Sequence, residues 1–162
     1  MVHKKLLRWY DQNKRNLPWR HDRDPYKVWI SEIMLQQTQV KTVIPYFKKF
    51  TKRYKTLESL SKANETQILK LWEGLGYYRR ARNLLASTKL LVKEHNSKLP
   101  NTLKEIKKLP GVGDYTANAL MGFIYNYPTI AIDGNVKRVF ARYLNKKESK
   151  INFEKLIDSN KK

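Results

Sequence analysis

Two carboxylates in this sequence stand in surroundings that could give them chemical work. Glu32 lies in ISEIMLQQ, a stretch otherwise apolar and amide-rich, where burial would raise its pKa and keep it able to donate a proton. Asp133 stands at the predicted start of a helix, facing the free N–H groups of Gly134 to Val136, which favour an ionised carboxylate. A protonated acid beside a fixed anion can drive acid-assisted bond cleavage, the first protonating a leaving group and the second steadying the cation left behind. Plainer alternatives stand beside this one: Glu32 as an exposed helix glutamate, and Asp133 as an N-cap and nothing more. Other chemistry is poorly provided for. The sequence has no cysteine, so thiolate nucleophiles, disulfides and thiolate metal sites are excluded within these residues. The three histidines, His3, His21 and His95, are scattered and do not suggest a metal site.

A third feature is a turn. Leu109-Pro110-Gly111-Val112-Gly113 falls between two helical patterns. Glycines at alternate positions allow a sharp turn and a close approach to a phosphate, which the N-terminus of the next helix would hold with unpaired N–H groups. Lys104, Lys107 and Lys108 precede it. Such a device grips a nucleic-acid backbone without reading sequence, although an ordinary helix–helix turn would look the same at this level.

The elements that must position these groups read as all-α, because apolar residues recur at helical spacing and alternating β-branched runs are short and rare. Helices are predicted over 2–13, with Leu6, Trp9 and Tyr10 on one side, over 25–37 with Asp24 as N-cap and Pro25 first, and over 40–53 with Val43, Tyr46, Phe47 and Phe50 inward. Asn64 and Gln67 form a capping pair for a short helix closed by Gly74 and Gly76. A long helix follows over 77–95, then two helices joined by the glycine turn, and another from about 133. The tail after Lys146 carries one weak apolar stripe of Ile151, Phe153, Leu156 and Ile157.

The chain has 162 residues, which suits one compact unit, and 34 Lys and Arg against 14 Asp and Glu, a formal charge of +20. That excess implies a polyanionic partner, nucleic acid first. No run approaches the roughly 18 apolar residues of a spanning helix, and the N-terminus lacks the apolar core of a secretory signal. A cytoplasmic, monomeric protein at the nucleoid is expected.

Taken together, LPWR at 17–20, PYKVWISEIMLQQTQV at 25–40, GLGYYRRARNL at 74–84, LPGVG at 109–113 followed by Thr116-Ala117, and IDGNVKRV at 132–139 resemble the helix-hairpin-helix DNA glycosylases, most closely those of the MutY type. The resemblance covers about residues 5–145. It implies a six-helix barrel-like domain over 25–134 with the hairpin at about 102–126, an N-terminal helix and loop over 1–24 that belongs to a second helical half, and the start of that half over 135–162. It implies base-excision repair: removal of adenine mispaired with 8-oxoguanine or guanine, after base flipping, in double-stranded DNA. Breaking that N-glycosidic bond needs an acid for the departing base and an anion for the oxocarbenium-like sugar. By resemblance Glu32 is the acid toward adenine N7, and Asp133 stabilises the sugar cation or bonds to it transiently.

The resemblance also implies that Tyr115 hydrogen-bonds Asp133 where bifunctional relatives carry a Schiff-base lysine, and that Asn135 positions the attacking water. Gln37 and Thr38 intrude into the duplex, Tyr77 stacks beside the opposite base, and Trp19 and Arg20 belong to the adenine pocket. Leu109, Gly111, Val112 and Gly113 of the hairpin, with Lys137, contact DNA. The family's iron–sulfur ligands and its 8-oxoguanine-reading segment have no counterpart in these residues, so no cofactor is expected within this chain and a truncation, marginally stable and weakly active, is. Two alternatives stay open: a mismatch glycosylase acting on thymine opposite guanine, and a catalytically dead DNA-binding remnant.

Overall fold

The computed structural model describes residues 2–22 and 24–153, all-helical with no β-strand among them. The elements are α1 (Val2–Asn13), α2 (Pro25–Leu35), α3 (Val40–Arg53), α4 (Leu57–Ser61), α5 (Glu65–Trp72), α6 (Arg79–Glu94), α7 (Leu103–Ile106), α8 (Asp114–Tyr125) and α9 (Gly134–Tyr143), with 3-10 turns at Pro18–Arg20 and Glu148–Lys150. Helix starts follow the local code. The Asp24 side chain accepts the Tyr26 N–H at 2.9 Å with Pro25 in the first position of α2. Asn64 and Gln67 exchange side-chain and backbone bonds at the start of α5. A second reciprocal pair, Thr56 and Ser59, begins α4, which the sequence reading did not resolve.

Helix α2 is the hub. Trp29, Ile30 and Met34 are wholly buried, and the helix packs against α3, α6, α8 and the 18–20 turn, while α4 and α5 pack on α6. A helix apolar around most of its circumference must sit inside the bundle, and each large apolar side chain so buried contributes about 1.5–3 kcal/mol. The inward set on α3 is Val43, Phe47 and Phe50. Tyr46 is only partly buried, because its hydroxyl reaches out to the Glu73 carbonyl at 3.0 Å.

Two predicted spans shrink at their ends. α2 stops at Leu35, and α6 starts at Arg79. In both places a residue in left-handed conformation, Gln37 (φ 57°) and Tyr77 (φ 51°), turns the chain out of helix. Helices α1 and α9 stand apart from the core: Leu6 is 61% exposed, Trp9 59%, and α9 has no buried residue. Phe140 of α9 meets Phe153 edge to face at 6.3 Å. Of the predicted tail stripe, Leu156 and Ile157 lie outside the described residues. No described helix is long and apolar enough to cross a membrane.

Candidate active site and nucleic-acid interface

Glu32 sits two turns into α2, partly buried between Ser31 and Ile33, which are fully buried. Burial pushes its carboxyl up to about 7, against the opposing pull of the Arg20 guanidinium. A group with that value is protonated in a large fraction of molecules near neutrality and can act as an acid there.

Asp133 reaches this region because the chain doubles back along α8. Asn126, left-handed at φ 51°, ends the helix, and the Tyr127 N–H returns to the Met121 carbonyl at 3.1 Å. Thr129 then donates to Asn118 one turn nearer the start of α8, and Asp133 arrives near Tyr115, in the first turn. The Tyr115 hydroxyl pKa is raised, first by burial and then by the charges of both Glu32 and Asp133, so the three residues share one electrostatic neighbourhood. Asp133 accepts the Val136 N–H at 2.7 Å as N-cap of α9 and the Asn135 amide at 2.9 Å. Burial acts to raise its carboxyl, but these bonds and the nearby Arg138 outweigh it and hold the value below the ordinary range. The two carboxylates are thus pushed apart in pKa, one toward the acid and one toward the anion.

The expectation for Tyr115 needs correction. No hydrogen bond joins Tyr115 to Asp133, whose oxygens accept from Val136 and Asn135; the two interact through charge. Asn135 donates to Asp133 while its oxygen accepts from Arg138, so one N–H and one lone pair remain for a water. Lys137 is exposed on α9.

The hairpin divides its labour. Leu109 and Val112 are buried, so their side chains anchor the turn and leave only backbone for a phosphate. Gly111 has φ 80°, and a Cβ there would sit 2.9 Å from the Asn83 side chain, so its glycine is required by the turn itself. Gly113 differs. Its φ is −90°, a Cβ would meet nothing within 4 Å, and it begins α8 without any side-chain cap. The first N–H groups of α8 consequently carry no side-chain cap, as an anion site requires. The two glycines thus divide the roles expected of the pair: Gly111 makes the tight turn, and Gly113 keeps the approach clear. Lys107 pairs with Asp114 across the turn.

Gln37 and Tyr77 are exposed, Tyr77 by 60%, and Thr38 is partly buried. All three lie in turns beyond helix ends. Trp19 departs from its expected place: the 3-10 turn directs it inward, 5% exposed and edge to face with Phe47 at 5.1 Å, where it supports the wall and offers no open face to a base. Arg20 is exposed, lies 6.0 Å from the Tyr10 ring centre and acts electrostatically on Glu32.

Sequence reasoning passed over two residues. Gln36 donates to the Gly111 carbonyl at 3.2 Å and to Thr116 at 3.1 Å, tying the end of α2 to the hairpin. Arg80, buried on α6, donates to the carbonyls of Met34 at 2.7 Å, Gln36 at 2.5 Å and Gly76 at 3.1 Å. Both act on carbonyls or side chains distant in sequence, and no local pattern signals that. The family's iron–sulfur cluster does not fit these residues: there is no cysteine, and no cluster of potential metal ligands among the described residues.

The family model for HhH-GPD superfamily base excision DNA repair proteins matches residues 30–161. An adenine DNA glycosylase of Buchnera aphidicola subsp. Baizongia pistaciae is 48% identical over 153 residues, 94% of this chain and 44% of that protein. The chain thus spans less than half the length of this relative. Among solved structures, a thermostable thymine-DNA glycosylase superposes with a TM-score of 0.86 at 30% identity, covering 96% of this chain and 75% of that one. A trapped endonuclease III–DNA covalent intermediate superposes at 0.73 and 25% identity, covering 84% and 63%.

Proposed function

The chain belongs to the HhH-GPD superfamily of base excision DNA repair proteins, and from that membership we propose that it is a monofunctional DNA glycosylase that flips adenine out of mispairs with 8-oxoguanine or guanine and hydrolyses its N-glycosidic bond. The observation that carries the reading is Glu32, an acid held up to about 7 by burial in the neighbourhood of an ionised Asp133. Glu32 donates its proton to adenine N7. The bond from C1′ to N9 then breaks, its electron pair leaving with the base. The Asp133 carboxylate stabilises the sugar cation until water adds at C1′ and gives up a proton, which replaces the one Glu32 lost. Tyr115 is no amine, so imine formation and strand cleavage by that route do not follow.

DNA is held by the hairpin backbone, the start of α8 and Lys137, with the turns at Gln37, Thr38 and Tyr77 entering the duplex. Adenine is favoured over thymine by the 48% likeness to an adenine DNA glycosylase, against 30% to a thymine-DNA glycosylase. A base-release assay decides: with enzyme in excess, duplexes carrying adenine opposite 8-oxoguanine or guanine should lose adenine, and thymine opposite guanine should stay intact. Release of thymine alone would favour the second reading. Duplex binding with no release of either base would favour a DNA-binding remnant.

A further inference from the structure

Arg80 is a buried cation with no carboxylate partner among the described residues. Its charge is met by carbonyl oxygens instead. One terminal nitrogen shares its two N–H groups among the carbonyls of Ile33 at 3.3 Å, Met34 at 2.7 Å and Gln36 at 2.5 Å, at and just past the end of α2, where the helix dipole favours a cation. The other donates to Leu75 at 3.4 Å and Gly76 at 3.1 Å. The guanidinium also lies 5.6 Å from the Trp72 ring centre and 5.3 Å from that of Tyr77. The segments it joins lead directly into Gln37 and Tyr77, both in left-handed conformations that such residues rarely adopt and keep only where the surroundings dictate them. The carbonyl of Gln36 faces Arg80, and its side-chain amide reaches the hairpin at Gly111.

We propose that Arg80 is a positioning residue that locks the Gln37 and Tyr77 turns into a single unit, so that the two enter DNA together. This rests on the glycosylase reading, in which those turns fill the space left by the flipped base. One planar, five-donor cation can bind both sets of carbonyls at once. A lysine, with a compact ammonium, cannot span them in the same way.

The test is a double-substitution cycle, Gln37→Ala and Tyr77→Ala singly and together, in the full chain with Arg80 intact and again with Arg80→Lys. The readout is fluorescence of 2-aminopurine at the target position opposite 8-oxoguanine, which rises on flipping. Affinity for an undamaged duplex and thermal unfolding are measured alongside. With Arg80 intact, each single change should cut flipping about tenfold and the double change no more than the worse single, the mark of groups acting as one. In Arg80→Lys, flipping should already be about tenfold down, both further changes should add little, and undamaged-duplex affinity should stay within about twofold. Additive losses with Arg80 intact would overturn the proposal, and that arm stands even where Arg80→Lys does not fold. Wild-type flipping in Arg80→Lys, or a loss matched by equal loss of duplex affinity, would also overturn it. Absence of any fluorescence change in the unaltered chain would remove the glycosylase reading and this inference with it.

Discussion

At the scale of single residues, the division between Glu32 and Asp133 is set by surroundings and not by residue type. Burial raises one carboxyl, and an N-cap bond with an amide bond lowers the other. Glu32→Gln and Asp133→Asn should each abolish adenine release in single-turnover assays while leaving duplex affinity within about threefold, since the hairpin is untouched. Asparagine still caps a helix, so the second change isolates the charge. Glu32 also makes the protein pH-sensitive. Between its ordinary value of 4.5 and about 7, the folded chain holds a proton there that the unfolded chain has lost, so this residue's contribution destabilises the fold as pH rises through that window. Glu32→Gln should therefore be more stable than the wild type at pH 8, by about 1–3 kcal/mol after allowance for partial exposure, and nearly equal to it in stability at pH 4. Equal melting temperatures at pH 8 would mean that the carboxyl is not desolvated. Glu32 was legible in the sequence because its apolar neighbours announce burial. Arg80 was not, because its meaning lies in carbonyls 44 to 47 residues away, and Trp19 was misplaced because exposure of a 3-10 turn residue depends on Phe47, in another helix.

At the scale of elements, the hairpin's two glycines make separable contributions. Gly111→Ala forces a side chain onto a left-handed backbone and against Asn83, and should lower both thermal stability and duplex affinity, the former by roughly 1–2 kcal/mol. Gly113→Val meets open space and should leave the melting temperature nearly unchanged while weakening duplex binding, by placing a branched side chain before the uncapped N–H groups of α8. Thermal unfolding and a binding titration on each variant check this pair, and equal effects of the two changes on stability would refute the assignment. Helix positions were legible here because caps are local: Asp24 with Pro25, Asn64 with Gln67, and Asp133 each signal a start within four residues. Helix ends were less so. The turns at Gln37 and Tyr77 depend on Arg80 holding distant carbonyls, and glutamine and tyrosine do not by themselves signal a left-handed residue.

At the scale of the whole molecule, a charge of +20 on 162 residues should make duplex binding fall steeply with salt, with a log–log slope of several units at about 0.9 per neutralised phosphate. A slope near zero would argue against DNA as the partner. The exposed Leu6, Trp9 and Tyr10 of α1, and an α9 without any buried residue, leave large apolar side chains uncovered. Low thermal stability and early proteolysis within α1 should follow, read by mass spectrometry of limited digests. The central claim is acid-assisted adenine excision by Glu32, and its most direct test is the pH dependence of single-turnover adenine release from a duplex with adenine opposite 8-oxoguanine, with enzyme in large excess. The rate should be level below about pH 7 and fall tenfold per pH unit above it, and Glu32→Gln should release no adenine across the same range. A rate that climbs through pH 7, an unimpaired Glu32→Gln, or no adenine released at any pH would contradict it.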